Sequence, residues 1–135
     1  MSKIPEPTER ELAILKVLWD LGEGSVRQVY EALRDQLPIV QNTVQAFLRT
    51  MEQKGLVSHV LRGRSFIYRP MKPREQTSKN LVSNLLNKVF DGAIDQLVAS
   101  ALDLRSPSHE EIAKLKQLLH AAEKRAGRRR KGGPP

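Results

Sequence analysis

The chain has 135 residues, of which 39% are hydrophobic and 4% aromatic, and it has no cysteine. This length suits one ordinary domain, or a small domain with an oligomerisation element, and the lack of cysteine excludes disulfides and thiolate metal sites. The sequence has no apolar run of about 18 residues and no apolar signal-peptide core, so we expect a cytoplasmic protein without membrane insertion.

The net charge of +8 is concentrated in two segments. Residues 39–72 carry six basic residues and one acidic residue, which gives +5, and residues 124–135 carry six basic residues and no acid, which gives +6. Residues 1–38 and 73–123 carry −2 and −1. Clustered positive charge of this kind is typical of proteins that bind nucleic acid.

A capping-box pattern marks the start of the first helix. The Thr8 hydroxyl is placed to accept an early backbone N–H, and Glu11 is placed to reach back to the Thr8 N–H. Gly22 ends this helix, and a very short strand is expected around residues 23–25. Ser25 then caps a second helix, whose apolar residues recur at helical spacing.

A third helix and a hairpin complete the first domain. The helix runs from about residue 41 to residue 54, and Gly55 follows as its C-terminal stop. The stretch "LVSHVLRGRSFIYRP" alternates like two strands, and Gly63 in "RGRS" supplies the turn. Three helices followed by a hairpin predict a winged helix-turn-helix over residues 5–72, within a fold that is mainly α with a small β-hairpin.

The polar face of the third helix is the main candidate for reading DNA. A helix in the major groove reads adenine through Asn or Gln, guanine through Arg, and the thymine methyl through Ala or Thr. Any surface helix has a polar face, but this one carries no acid before Glu52, whereas a solvated face usually mixes charges. The candidate base-reading residues are Asn42, Thr43, Gln45, Ala46 and Arg49.

Side chains around the hairpin and the helix starts are candidates for contacts with DNA phosphates. Such contacts are independent of sequence and depend strongly on salt. A charged hairpin can also serve solubility alone, and the residues by themselves leave both roles open. The candidate backbone-contacting residues are Ser25, Arg27, Arg62, Arg64 and Arg69.

Residues 74–122 form three short amphipathic helices, predicted to be a dimerisation domain. Phe90 is their one aromatic residue, so they would bury little surface alone, and a second copy of the segment is the simplest partner. "SPSHEE" begins the last helix, with either Ser106 or Ser108 as its cap. Residues 123–135 are predicted to be a disordered basic tail that either adds DNA affinity or keeps the chain soluble. The candidate dimerisation residues are Leu81, Leu85, Val89, Leu97, Leu102, Ile112, Leu115, Leu118 and Leu119.

The sequence offers no enzyme or metal-binding motif. It has no HExxH, no nucleophile elbow and no phosphate-cradling glycine loop. His59 has no partner nearby in sequence, and His109 and His120 would lie ~16 Å apart along one helix, too far to share a metal ion. We therefore predict a protein that is not an enzyme and that needs no cofactor or metal.

Three stretches carry a family resemblance: "TERELAILKVLW", "NTVQAFLRTMEQKGLVSHVLRGRSFIYRP" and "SHEEIAKLKQLL". Over roughly residues 5–122 the chain resembles the penicillinase repressor family of bacterial transcription factors, which has BlaI and MecI types and copper-responsive CopY relatives. The resemblance implies an N-terminal winged helix and a C-terminal helical dimerisation domain. It also implies a homodimer that represses transcription by binding an operator with dyad symmetry.

Two features differ from the pattern of that family. Repressors of the antibiotic-responsive branch are cut at an Asn–Phe bond in the dimerisation domain, and the position that aligns best here is Ser100–Ala101. The copper-responsive branch senses metal through paired cysteines, which this chain lacks. The resemblance therefore implies a repressor without identifying its inducer, and a membrane sensor-protease that cuts elsewhere in the domain is a further candidate partner.

Two other functions are compatible with a winged helix. A protein-interaction adaptor is one, because fold does not fix function, although the charge of +5 over residues 39–72 argues against it. A non-specific architectural DNA-binding protein that relies on the basic tail is the other. The main prediction is a DNA-binding repressor whose partners are double-stranded operator DNA and a second copy of the chain.

Overall fold

The structure, a computed structural model, describes residues 5–132, with side chains up to Arg128 in its last helix. It confirms the predicted class, a mainly α chain with a small antiparallel sheet. The elements in chain order are α1 (Glu9–Leu21), β1 (Gly24–Ser25), α2 (Val26–Leu33), α3 (Gln41–Lys54), β2 (Val57–Arg62), β3 (Ser65–Pro70), α4 (Arg74–Lys88), α5 (Ile94–Leu104) and α6 (His109–Gly132).

The chain divides into two compact units, the first ending at Leu85 and the second beginning at Leu86. The division falls inside α4, whereas the sequence suggested a boundary at residues 72–74. The limits of 5–72 and 74–122 for the functional domains stay predictions.

Capping interactions fix the ends of α1, as the sequence predicted. The backbone N–H of Thr8 donates to the Glu11 carboxylate at 2.9 Å, and the N–H of Glu11 donates to the Thr8 hydroxyl at 3.2 Å. Gly22 ends the helix with a φ of 85°, a conformation that costs glycine little. Both ends of the first helix are therefore determined by residues next to them in the sequence.

The core of the first unit lies between its three helices and its sheet. Leu48 of α3 has no exposed surface, and burying such a side chain contributes about 1.5–3 kcal/mol. Tyr68, in the central strand of the sheet, is 2% exposed. The buried hydrophobic residues are Ile14, Leu15, Leu18, Val29, Leu33, Ile39, Val44, Leu48, Met51, Val57 and Tyr68.

The sheet has the order β1-β3-β2, and all its pairs are antiparallel. Gly24 of β1 pairs with Tyr68, which confirms the very short first strand that the sequence suggested. Arg62 pairs with Ser65, so the hairpin turns through a two-residue loop. Gly63 opens this loop with a φ of 66°, which a residue with a Cβ rarely adopts.

The first turns of α4 are held against the first unit. The Arg74 guanidinium donates to the Asp20 carboxylate at 2.8 Å and lies 5.5 Å from the centre of the Trp19 ring. Further along, the Asn84 side-chain amide donates to Glu6 at 3.0 Å. The start of α4 is thus tied to α1, and a later turn is tied through Asn84 to the segment that precedes α1.

Leu81 of α4 faces its own chain. It is half-buried and lines a cavity of about 50 Å³ together with Pro7 and Leu56. The sequence proposed Leu81 as a dimerisation residue, but this packing gives it a partner within the first unit. Leu81 thus has contacts in the single chain, and its role in dimerisation stays a prediction.

The second unit has no buried side chain among its described residues. An apolar groove of about 380 Å³ runs between α5 and α6. Unpaired apolar surface of this extent usually marks an interaction site. The apolar residues of the groove are Leu97, Val98, Ala101, Leu102, Pro107 and Leu115.

A capping box at Ser108 begins α6. The Ser108 hydroxyl accepts the Glu111 N–H at 3.1 Å, and the Ser108 N–H donates to the Glu111 carboxylate at 3.0 Å. Of the two caps that the sequence allowed, Ser108 is therefore the one used. The Arg105 guanidinium also donates to Glu111 at 2.8 Å, and this bond, with the Ser108 N–H, lowers the pKa of Glu111 to about 2.

The last helix extends further than the sequence suggested. Disorder was predicted for residues 123–135, but α6 continues to Gly132, so residues 123–132 are helical and residues 133–135 lie outside the described part. Lysine and arginine are good helix formers, and no proline interrupts the segment before residue 134. Even so, no helix within residues 5–132 combines the length and apolar character needed to cross a membrane.

A buried carboxylate joins α1 to the end of α3. Glu11 is 1% exposed, and both of its carboxylate oxygens accept the Lys54 ammonium at 2.9 Å. Burial by itself raises the pKa of this group, but the Thr8 N–H and Lys54 together outweigh it and hold the pKa of Glu11 below its usual value. The side chain therefore stays charged inside the fold.

Replacing Lys54 with Met is expected to lower the free energy of unfolding by about 1–3 kcal/mol, because the buried Glu11 carboxylate loses its cation. Since the pKa of Glu11 is lower in the folded chain, wild-type stability should fall as the pH drops below about 4, and Glu11→Gln should lack this component. Urea unfolding followed by circular dichroism measures both effects. Equal losses in Lys54→Met and in Lys16→Met, on an exposed site of α1, would contradict this role.

Candidate nucleic-acid interface

The recognition candidate, α3, has one buried face and one exposed face. Val44, Leu48 and Met51 have no exposed surface. On the other side Asn42, Ala46 and Arg49 are exposed, while Thr43 and Gln45 are half-buried. The structure therefore presents all five predicted base-reading residues at or near the surface, with three of them open to solvent.

The start of α3 has no side-chain cap. Val40 precedes the helix, and no side chain accepts a hydrogen bond from the first turn, which contains no acidic residue. The N–H groups of Thr43 and Val44 reach the Val40 carbonyl at 3.1 and 3.2 Å. An uncapped helix start with its positive dipole end is a favourable place for a phosphate oxygen.

The end of α3 is linked to the hairpin through His59. The Nδ1 atom of His59 lies 2.7 and 2.8 Å from the two carboxylate oxygens of Glu52, and its ring stacks on Phe66 at 4.3 Å between centres. Sequence analysis suggested no partner for His59, although Glu52 is the only acid between residues 39 and 72. This contact fixes the hairpin relative to α3.

Two of the three predicted wing arginines converge on one carboxylate. Arg62 Nη1 and Arg69 Nε both donate to Glu23, the latter at 2.9 Å. The Arg62 bond is the main cause of a lowered pKa for Glu23, followed by the Arg69 contact. Glu23 was not among the predicted functional residues, because only the register of β1 on β3, which the structure shows, places it beside Arg69.

Arg64 differs from its neighbours on the hairpin. It lies in the loop, is exposed, and makes no ion pair with any residue that the structure describes. The same is true of Arg49 on α3. Arg49 and Arg64 are therefore the exposed basic side chains of residues 39–72 that have no ion pair; Lys72 also has none within the described residues, but it is half-buried.

Ser25 and Arg27, the other predicted phosphate contacts, already have partners at the start of α2. The Ser25 hydroxyl accepts the Gln28 N–H at 3.2 Å, and the Ser25 N–H donates to the Gln28 side chain at 2.9 Å. Arg27 pairs with Glu31 at 3.0 Å and remains exposed. Their role in DNA binding stays a prediction.

The predicted dimer residues lie mostly on open surface. Leu118 and Leu119 of α6 are 65% and 66% exposed, whereas Leu97 and Leu115 are half-buried along the groove. Ser100 and Ala101, the aligned cleavage position, are exposed within α5. The remaining predicted residues, all exposed, are Leu85, Val89, Leu102 and Ile112.

No cluster of three or more His, Asp or Glu side chains within the described part of the chain is arranged to hold a metal ion. What the geometry offers is an exposed helix face with amide, methyl and guanidinium groups, flanked by an uncapped helix start and a basic loop. These groups suit contacts with base edges and phosphates rather than bond-making chemistry.

The chain is similar to several known proteins. The penicillinase repressor of Bacillus licheniformis is 29% identical over 119 residues, which cover 88% of this chain and 93% of that protein. The methicillin resistance regulatory protein MecI of Staphylococcus aureus is 20% identical over 119 residues, covering 88% and 97%. The solved DNA-binding domain of the repressor BlaI is 30% identical, with a TM-score of 0.49, over 55% of this chain and 90% of that chain.

A second solved structure is the monomeric form of B. licheniformis BlaI in complex with the blaP half-operator. It is 29% identical, with a TM-score of 0.48, over 56% of this chain and 92% of that chain. The sequence model of the family described as Penicillinase repressor matches residues 7–121, which is most of the chain. The chain belongs to the penicillinase repressor family, whose members are transcriptional repressors rather than enzymes.

Proposed function

We propose that this repressor binds an operator with dyad symmetry as a homodimer. In each subunit α3 lies in the major groove and the β2–β3 hairpin contacts the DNA backbone. The observation that carries the proposal is the exposed face of α3, where Asn42, Ala46 and Arg49 stand opposite a fully buried apolar face. The protein acts in the cytoplasm, where it meets the DNA.

The chemistry of the α3 face supports base reading. Asn42 and Gln45 can each exchange two hydrogen bonds with adenine, Arg49 can do so with guanine, and Ala46 can contact a thymine methyl. The positions are three or four residues apart, so they follow one side of the helix. The uncapped start of α3 adds a phosphate site at the edge of the same surface.

The apolar surface of the second unit supports association of two copies. Leu118 and Leu119 are exposed in a single chain, and the groove between α5 and α6 is lined by apolar side chains. Two identical apolar surfaces can cover one another across a two-fold axis, and such symmetry matches a palindromic operator. The separation of the two α3 helices then sets the spacing of the half-sites.

Release by a membrane sensor-protease is a narrower proposal. Ser100 and Ala101 are exposed, which favours access, but they lie within α5, and a protease needs an extended backbone. Cleavage there therefore requires local opening of α5. The cut would separate part of α5 and all of α6 from the DNA-binding unit.

Replacing Arg49 or Gln45 with Ala is expected to reduce discrimination between the operator and a shuffled duplex by about tenfold or more, since each removes about 1–3 kcal/mol of base readout. The operator is first selected from genomic fragments bound by the purified chain, and gel-shift titrations then give both affinities. Arg10→Ala, an exposed site on α1, is the matched control. Unchanged preference in both α3 variants would refute α3 as the reader.

Replacing Arg64 with Ala is expected to weaken binding to all duplexes alike, because a phosphate contact carries no sequence information. The slope of log affinity against log salt should become shallower by about one. Fluorescence anisotropy across a salt series measures both quantities. A wild-type slope in the variant would remove the hairpin loop from the phosphate contacts.

Replacing Leu118 with Glu is expected to convert the dimer to a monomer, because a charge would enter an apolar contact at a cost of several kcal/mol. Leu118 is 65% exposed in the single chain, so the monomer should keep its fold by circular dichroism. Sedimentation velocity gives the mass. Gln117→Glu adds the same charge one position away and should stay dimeric, and a wild-type chain that sediments as a monomer would refute the proposal.

A further inference from the structure

The Glu23 carboxylate is hydrogen-bonded to two arginines of the hairpin, both of which are predicted to contact the DNA backbone. Glu23 lies just before β1, and its carboxylate accepts from Arg62 on β2 and from Arg69 on β3. Arg62 and Ser65 pair at the loop end of the hairpin, whereas Arg69 lies near its base. The Arg62 side chain is thus directed back along the sheet, away from the hairpin loop.

The cluster is accessible to solvent. The side chains of Arg62 and Arg69 are 56% and 51% exposed, and that of Glu23 is 33% exposed. Ion pairs at this level of exposure are weak and exchange readily with other ions. A DNA phosphate that approaches the hairpin can therefore replace the carboxylate as the partner of either guanidinium.

The cluster also changes how much charge the hairpin offers to DNA. Two guanidinium groups and one carboxylate sum to +1, whereas the arginines alone would carry +2. The hairpin thus reaches the backbone with part of its positive charge already matched inside the protein. Arg64, which has no such partner in the described residues, shows that this matching is selective within the hairpin.

We propose that Glu23 is an internal counterion that occupies Arg62 and Arg69 in the free protein and gives them up to DNA phosphates on binding. Its effect is to limit affinity for DNA of any sequence, so that a larger share of the binding free energy comes from α3. Glu23 thus sets the affinity of the hairpin for the DNA backbone without contacting a base. The inference rests on the proposed function, because it assumes that the hairpin meets the DNA backbone.

The test is Glu23→Gln in the full-length chain, titrated against the selected operator and a shuffled duplex over a salt series. Affinity for the shuffled duplex should rise about three- to tenfold at low salt. The salt slope should steepen by about one, because the net charge brought to the backbone rises by one. The ratio of operator to shuffled affinity should not rise.

Removal of any negative charge near DNA strengthens binding, so two comparisons isolate the mechanism. Asp20→Asn makes the same carboxylate-to-amide change at a residue that pairs with Arg74, outside the hairpin, and should leave the shuffled-duplex affinity close to that of the wild type. The gain from Glu23→Gln should disappear in a chain that also carries Arg62→Ala and Arg69→Ala.

Several results would overturn the inference. Weaker binding by Glu23→Gln would mean that the carboxylate positions the arginines for DNA, and unchanged binding would mean that it has no role there. If the gain in affinity for the shuffled duplex persists without both arginines, or if Asp20→Asn gives an equal gain, then the effect comes from net charge alone. The pairing of Glu23 with the arginines would then have no part in it. A wild-type chain without preference for any duplex would refute the proposed function itself, which is a separate outcome.

Discussion

The ion pair between Glu11 and Lys54 is the contact on which the orientation of α3 depends. One carboxylate caps the start of α1 and also holds the last residue of α3. Apolar packing between the same helices is not directional, because it depends on buried area rather than on angle. A charged hydrogen bond has a fixed direction and length, so it selects one orientation of α3 among those that the core would tolerate.

Ion pairs with a few carboxylates determine which basic side chains keep an unpaired positive charge. Among the basic residues of 39–72, Lys54 pairs with Glu11, and Arg62 and Arg69 pair with Glu23. Arg49, Arg64 and the half-buried Lys72 have no ion pair within the described residues. The net charge of +5 over residues 39–72 therefore overstates the unpaired positive charge, and the exposed part of that charge lies on the α3 face and in the hairpin loop.

The elements of the first unit could be predicted from sequence because their limits are set locally. Thr8, Gly55 and Gly63 act through a cap, a left-handed stop and a turn, each within a few residues of its effect. The third helix has the predicted bounds for this reason. The family was likewise predictable, because its motifs are continuous stretches.

Contacts between distant parts of the chain could not be predicted in the same way. Glu23 and Arg62 are 39 positions apart, and only the register of the sheet brings them together. The helical extension beyond Ala122 was missed because the prediction of disorder rested on the near absence of apolar residues, whereas lysine and arginine are good helix formers.

No side chain is buried in the described part of the second unit, residues 86–128, and this has a consequence for the response to protein abundance. If its apolar surface is covered only by a second copy, then the folded structure of that unit depends on the concentration of the protein, as it does in obligate dimers. Dilution would then dissociate the dimer and reduce DNA binding at the same time. Occupancy of the operator would rise roughly with the square of the chain concentration when dimers are scarce, so modest changes in synthesis or turnover would switch transcription sharply.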